Sequence, residues 1–404
     1  MLDCLLEKRY DPLIKLLTWV DLQGREGKIS LTLLSSQLKS RPKKEKISLY
    51  IEQINKDIQN LCWECHLHLI VRNDVLYWKK GPKFHLQFFQ ILYLKRSFGY
   101  YVLDRIIEES YTTFTDLIRE FSYSRRTCYQ YLDNVRKLVK KFHLTLDLQT
   151  TQNHKRLKGN EKQIRYFIFC FYENVAFLEE FEMNIINTTS IYLNLEKLVT
   201  AYPKLLSSNN TVDHISLYLR VVSLRINLSH FVSEEDSEEI LDNPHVSYQA
   251  FSNYLRDDIC QMPQEIRERE KRVLYQVFSF FEFYEYQVVK QSKWLDLYLQ
   301  NDAPKLEVMI VRELEKRLNQ SFPTEFSSFL ICNMYYINRL VRYIFEVETP
   351  TRELVISHCL ETDDESKRLA QTIEQSLQKI SRQDNCHFLS NPRLIERYVE
   401  LLKL

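Results

Sequence analysis

Thr113-Phe-Thr-Asp-Leu-Ile-Arg-Glu-Phe-Ser-Tyr-Ser-Arg-Arg-Thr-Cys-Tyr-Gln-Tyr-Leu-Asp-Asn-Val-Arg-Lys-Leu-Val-Lys-Lys-Phe142 reads as two helices with a tight break between them. Thr113 stands three residues before Asp116, a capping pattern, and Leu117, Ile118 and Phe121 give the helix it opens an apolar face. Ser122-Tyr-Ser124 interrupts the pattern without glycine or proline. Ser124 is then free to cap a second helix, its hydroxyl accepting from an otherwise orphaned backbone N–H. Cys128, Tyr131, Leu132, Val135, Leu138, Val139 and Phe142 recur three and four apart, one stripe of a helix reaching about Phe142.

The opposite face carries Arg125, Arg126, Thr127, Tyr129, Gln130, Asp133, Asn134, Arg136 and Lys137. Arginine, threonine and glutamine in the first two turns are side chains that bond base edges and phosphates when a helix N-terminus enters a major groove. The helix dipole adds partial positive charge at that end. Arg125, Arg126, Thr127, Tyr129, Gln130 and Asn134 are therefore the candidate DNA-contacting residues. Downstream, Leu144-Thr-Leu-Asp-Leu148 alternates like a strand, Gln149 to Asn153 is a polar tip, and His154-Lys-Arg-Leu-Lys-Gly159 is basic. That is a wing, with Lys155, Arg156 and Lys158 placed for phosphates. The competing reading is a three-helix piece of a larger bundle whose charged face is merely solvated.

At 404 residues, three or four domains are expected. Only 5 glycines and 10 prolines stand against 25 tyrosines and 23 phenylalanines, which argues against an all-β fold and against glycine-rich phosphate loops. The expected fold is mainly α. The net charge of +1 conceals an asymmetry: residues 1–165 hold 30 Lys and Arg against 18 Asp and Glu, net +12, and residues 166–404 hold 25 against 36, net −11. A polyanion partner belongs to the first part. Met1-Leu-Asp-Cys-Leu-Leu-Glu-Lys8 lacks the order of a secretory signal, and charges interrupt every apolar run before 18 residues. A cytosolic protein with its nine cysteines reduced is the expectation.

Toward the N-terminus, Leu13, Ile14, Leu17, Trp19 and Val20 mark a helix ended by Gly24 and Gly27, and Ser30 caps a second through Leu38. A third helix carries Ile47, Tyr50, Ile51, Ile54 and Ile58, and Leu67 to Trp78 reads as a hairpin turning at Asn73-Asp74. Helix, helix, helix, hairpin is a second winged helix. Its linker places Arg41, Lys43, Lys44 and Lys46 at a helix N-terminus, where they suit a phosphate backbone. Cys62-Trp-Glu-Cys65 with His66 and His68 has the spacing of half a zinc site, but no second cysteine pair follows, so no metal is expected. Phe84 to Glu109 supplies a linker helix and the supporting first helix of the downstream domain.

Ser124-Arg-Arg-Thr-Cys-Tyr-Gln-Tyr-Leu132, Val135-Arg-Lys-Leu138 and Leu157-Lys-Gly-Asn-Glu-Lys-Gln-Ile-Arg165 together resemble the winged helix of the Mga family, transcription regulators of Gram-positive bacteria. The closing leucine, glycine, glutamate and Gln-Ile-Arg are the most specific part. Cys128-Tyr129-Gln130 departs from the more usual leucine-tyrosine-arginine, which leaves the base preference open. The resemblance implies two N-terminal winged helices, at 1–82 and 83–166. It also implies two phosphotransferase-regulation (PRD-like) helical domains, which the breaks place at 167–285 and 286–404.

Such modules are phosphorylated on histidine by the phosphocarrier protein of the sugar phosphotransferase system. Val212-Asp-His-Ile-Ser-Leu217 offers His214, and Leu354-Val-Ile-Ser-His-Cys-Leu360 offers His358, in contexts unlike the family's own paired histidines. His230 and His387 are further histidines of this half. Mga-like regulators commonly end in an α/β domain resembling a sugar-transport subunit, whereas Leu394 to Leu402 reads as helix. A homodimer is thus expected to form through the helical bundles, with Val277-Phe-Ser-Phe-Phe-Glu-Phe-Tyr-Glu-Tyr286 as either dimer surface or bundle core.

The expected function is that of a DNA-binding transcription regulator, an activator working with RNA polymerase and needing no cofactor. No His-Glu-x-x-His, Gly-x-Ser-x-Gly or nucleophile paired with a base occurs, and Glu234-Glu235-Asp236 and Asp363-Asp364-Glu365 look like solvated loops or helix starts, so no enzyme is expected. The alternatives are an RNA-binding antiterminator under the same kind of control, or a scaffold whose basic half binds an acidic protein.

Overall fold

The computed structural model describes residues 2–38, 41–61, 66–110, 114–148, 156–173, 175, 209–236, 241–254, 262–280, 284–300, 305–344, 364–384, 389 and 392–403. The fold is mainly helical, as the composition requires, with strands confined to the first 158 residues among those described. It forms two compact units, one built from Met1–Arg136, the other from Lys137–Ala176 and Phe181–Leu404. No helix of the described residues is long and apolar enough to cross a membrane.

The first unit opens with a 3-10 turn, Leu2–Leu5, and then α1 (Asp11–Asp21), β1 (Glu26–Ser30), α2 (Leu31–Gln37), α3 (Lys44–Asn60), β2 (Leu67–Arg72) and β3 (Val75–Lys80). Ser30 caps α2, accepting from Leu33 N at 3.3 Å. Asn73 and Asp74 both take left-handed φ, 48° and 61°, as a two-residue hairpin turn demands. The hairpin joins β1 in an antiparallel sheet ordered β1-β3-β2. Helix, strand, two helices and a hairpin are the elements of a winged helix. Leu13, Leu17, Leu34, Ile47, Ile54, Leu69 and Leu76 are buried in its core.

Strand β1 corrects the expectation that Gly24 and Gly27 merely end a helix. A Cβ at Gly27 would collide with the ring of Trp78, whose Nε1 donates to Gly24 O at 3.2 Å. The two glycines seat a tryptophan, and β1 exists because β3 is there to pair with it.

The unit continues through α4 (Leu86–Lys95), α5 (Phe98–Ile107), α6 (Phe114–Phe121) and α7 (Arg125–Lys140), the boundary between units falling inside α7. Buried Asp57 of α3 accepts from Tyr93 OH at 3.1 Å and Arg96 Nη1 at 2.6 Å, tying α4 to the first winged helix. Burial and the Asp57 carboxylate push the Tyr93 hydroxyl far above its ordinary range, so it remains a donor.

The second unit contains β4 (Thr145–Leu146), β5 (Leu157–Lys158), α8 (Glu161–Glu173), α9 (Asn209–Asn227), α10 (Tyr248–Tyr254) and α11 (Gln264–Phe280). It goes on with α12 (Tyr286–Gln291), α13 (Trp294–Gln300), α14 (Leu306–Leu318), α15 (Thr324–Ile344), α16 (Asp364–Asp384) and α17 (Pro392–Lys403). α15 packs against α8, α11, α12, α13, α14 and α17. Its Asn333 bonds Tyr284 N and O, and Tyr336 OH donates to Leu241 O and Asp242 O. Val277, Phe278, Phe280 and Tyr284 of the aromatic run are buried, which makes it core among the described residues.

Candidate nucleic-acid interface

α6, the turn and α7 are positioned by packing and by one buried carboxylate. Leu117, Cys128, Leu132 and Val135 are buried, and Phe98 meets Phe121 edge-on at 5.1 Å. Gly99 of α5 lets Leu5 and Val135 approach; a Cβ there would lie 3.2 Å from Leu5 Cδ2 and 3.4 Å from Val135 Cγ2. Glu7, which the sequence reading missed, is the polar hub. Its N donates to Ser97 Oγ at 3.2 Å, and its carboxylate accepts from Phe98 N at 2.8 Å, a reciprocal cap of α5. The same carboxylate accepts from Tyr123 OH at 2.7 Å and pairs with Arg9 Nε at 2.8 Å. Burial and the Glu7 hydrogen bond push the Tyr123 hydroxyl well above its ordinary range, so it stays a donor and pins the turn before α7.

Ser124 caps α7 as its position predicts. Its Oγ accepts from Thr127 N at 3.1 Å and lies 2.8 Å from Thr127 Oγ1. Thr113 lies outside the described residues. Beyond the cap, Arg125, Arg126, Tyr129 and Gln130 are exposed, and Thr127 and Asn134 are half-buried. Arg136 pairs with Asp133 at 2.9 Å, whereas Arg125, Arg126, Gln130 and Asn134 make no hydrogen bond or ion pair among the described residues. The Tyr129 side chain is 50% exposed and rests on Phe114, ring centroids 4.8 Å apart. Phe114, fifteen residues away, left no mark in the sequence pattern. The N-terminal turns of α7 thus present two free guanidiniums, two carboxamides and a braced aromatic ring.

Among the described residues of the wing, Thr145–Leu146 pairs with Leu157–Lys158, and Asp147 N donates to Arg156 O at 2.7 Å. Lys158 projects to solvent beside Asp147, Nζ to Oδ2 2.7 Å. Arg156 requires a correction. It is 5% exposed and its Nη1 donates to Leu148 O at 3.4 Å, so it packs the wing from inside and does not reach a phosphate. Lys155 lies outside the described residues. In the first winged helix Arg41 and Lys43 are exposed, while Lys44 pairs with Asp74 of the hairpin turn at 2.9 Å. Cys62 and Cys65 lie outside the described residues, among which no group of three His, Cys, Asp or Glu is placed to hold a metal ion.

The run that closes the motif has an internal task. Gly159 takes φ 152°, and a Cβ there would collide with Leu144 Cδ2. Asn160 caps α8, its Oδ1 accepting from Lys162 N at 2.9 Å, while its Nδ2 donates to Asp236 Oδ1 at 2.7 Å. Asp236, expected in a solvated loop or at a helix start, is buried. Arg165, fully buried, forks onto Glu270 at 2.6 and 2.9 Å, reaches Glu161 at 3.1 Å and donates to His230 O at 3.1 Å. Arg225 closes the cluster on Glu161 at 2.8 and 2.9 Å. Burial alone would raise the Glu161 carboxyl, but Arg225 and Arg165 outweigh it and hold it below the ordinary range. His214 lies in α9 with its side chain undescribed, and His358 and His387 lie outside the described residues.

Comparison with protein families places the same stretch. Residues 82–172 match the model of the Mga helix-turn-helix domain. The chain carries a Mga-family helix-turn-helix domain. That domain makes the protein a DNA-binding transcription regulator. The matched residues run from the segment before α4 to the last turns of α8, so the Mga domain includes both the exposed start of α7 and the buried Asn160–Arg165 joint. No curated protein matches the chain in sequence.

Proposed function

We propose that the protein is a non-catalytic transcription activator of the Mga type, working in the cytoplasm on double-stranded DNA. The observation that carries the reading is the start of α7: a Ser124-capped helix whose Arg125, Arg126 and Gln130 are exposed and uncommitted. Arg125 and Arg126 offer bidentate donors to guanine O6 and N7, Gln130 and Asn134 suit adenine, and Tyr129 offers an apolar surface to a thymine methyl. Thr127, its hydroxyl engaged with Ser124, lies against the backbone. Lys155 and Lys158 of the wing, with Arg41, Lys43 and Lys44 of the first winged helix, hold phosphates. The surface pair of Lys44 with Asp74 is weak enough to yield to a phosphate.

The helical regions 167–285 and 286–404 act as two PRD-like control modules and as the surface of a homodimer that engages RNA polymerase. Phosphorylation of His214 or His358 by the phosphocarrier protein sets activity, because a phosphohistidine brings charge near −2 and new acceptor oxygens. Selection of sites from random duplexes by the wild type and by Arg126→Ala tests the reading. The expected result is a defined motif that relaxes at one position in the variant, with duplex DNA outcompeting hairpin RNA. Preference for the RNA hairpin would overturn it.

A further inference from the structure

A cleft of about 500 Å³ opens in the second unit, lined by Arg317 of α14 and by Gln375, Gln378, Lys379 and Arg382 of α16. The four α16 residues follow one another at the spacing of a single helical stripe. Glu313 of α14 organises the cations: it accepts from Arg317 Nε at 2.9 Å and from Lys379 Nζ at 2.6 Å. Arg317 Nη1 also donates to Gln375 Oε1 at 2.9 Å. One carboxylate thereby fixes two cationic side chains without neutralising both. The hydrogen bond from Lys379 holds the Glu313 carboxyl below its ordinary range, so the arrangement stays charged.

A helix-to-helix ion-pair network would account for Glu313, Arg317 and Lys379. It leaves Arg382 unexplained, for that guanidinium is exposed at the cleft and makes no hydrogen bond or ion pair among the described residues. Three cations against Glu313 and Glu374, the second accepting from Gln378 Nε2 at 3.1 Å, leave the cleft a net charge of +1, in the part of the chain where acidic residues outnumber basic ones.

We propose that this cleft binds a small phosphomonoester. A phosphomonoester carries roughly −1.5 to −2 at neutral pH, opposite in sign to the cleft. The remaining N–H groups of Arg317 and the whole fork of Arg382 suit its oxygens, with Lys379 as a point charge. Gln375 Oε1 accepts from Arg317 and Gln378 Nε2 donates to Glu374 Oε1 at 3.1 Å, which leaves Gln375 Nε2 and Gln378 Oε1 for hydroxyls on the rest of the ligand. This site is independent of the DNA-binding reading.

Isothermal titration of the full chain with glycerol 3-phosphate tests the assignment, with glycerol and citrate as comparators. Saturable binding is expected, about tenfold weaker in Arg382→Gln, as loss of one charge-assisted contact implies. It should persist in Arg125→Ala/Arg126→Ala, which removes cations from the DNA-binding helix only. An unchanged melting temperature for Arg382→Gln separates loss of the ligand site from loss of fold. No saturable binding, equal binding by Arg382→Gln, or citrate binding as tightly would each overturn the proposal.

Discussion

Glu7 and Ser124 are two small polar devices on which the DNA-binding helix depends. Ser124→Ala leaves the Thr127 N–H without its cap, and we expect a loss of about 1 kcal/mol in urea unfolding. Glu7 is costlier to remove, since buried groups at Phe98 and Tyr123 lose their acceptor together. Glu7→Ala should lower stability by about 2–3 kcal/mol, while Glu7→Gln, keeping part of the bonding, should lose less. Equal effects of the two would show that the charge of Glu7 contributes everything. On the DNA side, Arg126→Ala should cost about 1–3 kcal/mol at one base position if Arg126 reads a guanine. A uniform loss on every sequence would make it a phosphate contact. The cap was legible because Ser124 sits directly before its helix. Glu7 was not, because its partners are about 90 and 116 positions away and only the fold brings them together.

Among elements, α8 best separates what sequence can and cannot reveal. Leu157 to Arg165 was the most specific stretch for recognising the family, yet apart from exposed Lys158 its polar anchors hold protein: Asn160 holds Asp236, and Arg165 holds Glu270. Motif strength and DNA contact are therefore different properties here. Arg156 teaches the same point, since a basic run in sequence does not tell which cation turns inward. Strand β1 was missed because Glu26-Gly-Lys-Ile-Ser30 has little pattern of its own and is made by pairing with β3.

The Glu161 carboxyl is depressed in the folded state, so it contributes stability that is fully present above its unfolded pKa near 4.5 and is lost as pH falls through the lower folded value. Acid unfolding followed by circular dichroism should consequently steepen below about pH 4.5, and Glu161→Gln should flatten that limb. An identical acid limb in the variant would contradict the ion cluster. Gly159→Ala should destabilise the same joint by about 1–3 kcal/mol, from a strained φ and the collision with Leu144.

At the scale of the whole molecule, a chain of net charge +1 divides its charge into a basic N-terminal part and an acidic remainder. That asymmetry was readable from composition, as was the helical class, because both are sums over many residues and tolerate local error. The packing of α15 against six other helices was not readable, since it rests on contacts such as Asn333 with Tyr284 that no periodicity encodes. The central claim, that the exposed start of α7 carries DNA binding, is tested most directly by salt. Binding of the full chain to random duplexes of about 40 base pairs should weaken with a log–log slope of about −4 or steeper, some five phosphates at about −0.9 each. Arg125→Ala/Arg126→Ala should weaken binding to a selected site by about 1–3 kcal/mol per arginine while leaving the slope set by the phosphate contacts in place. No binding at low salt, or a double variant that holds the selected site as tightly as the wild type, would contradict the account.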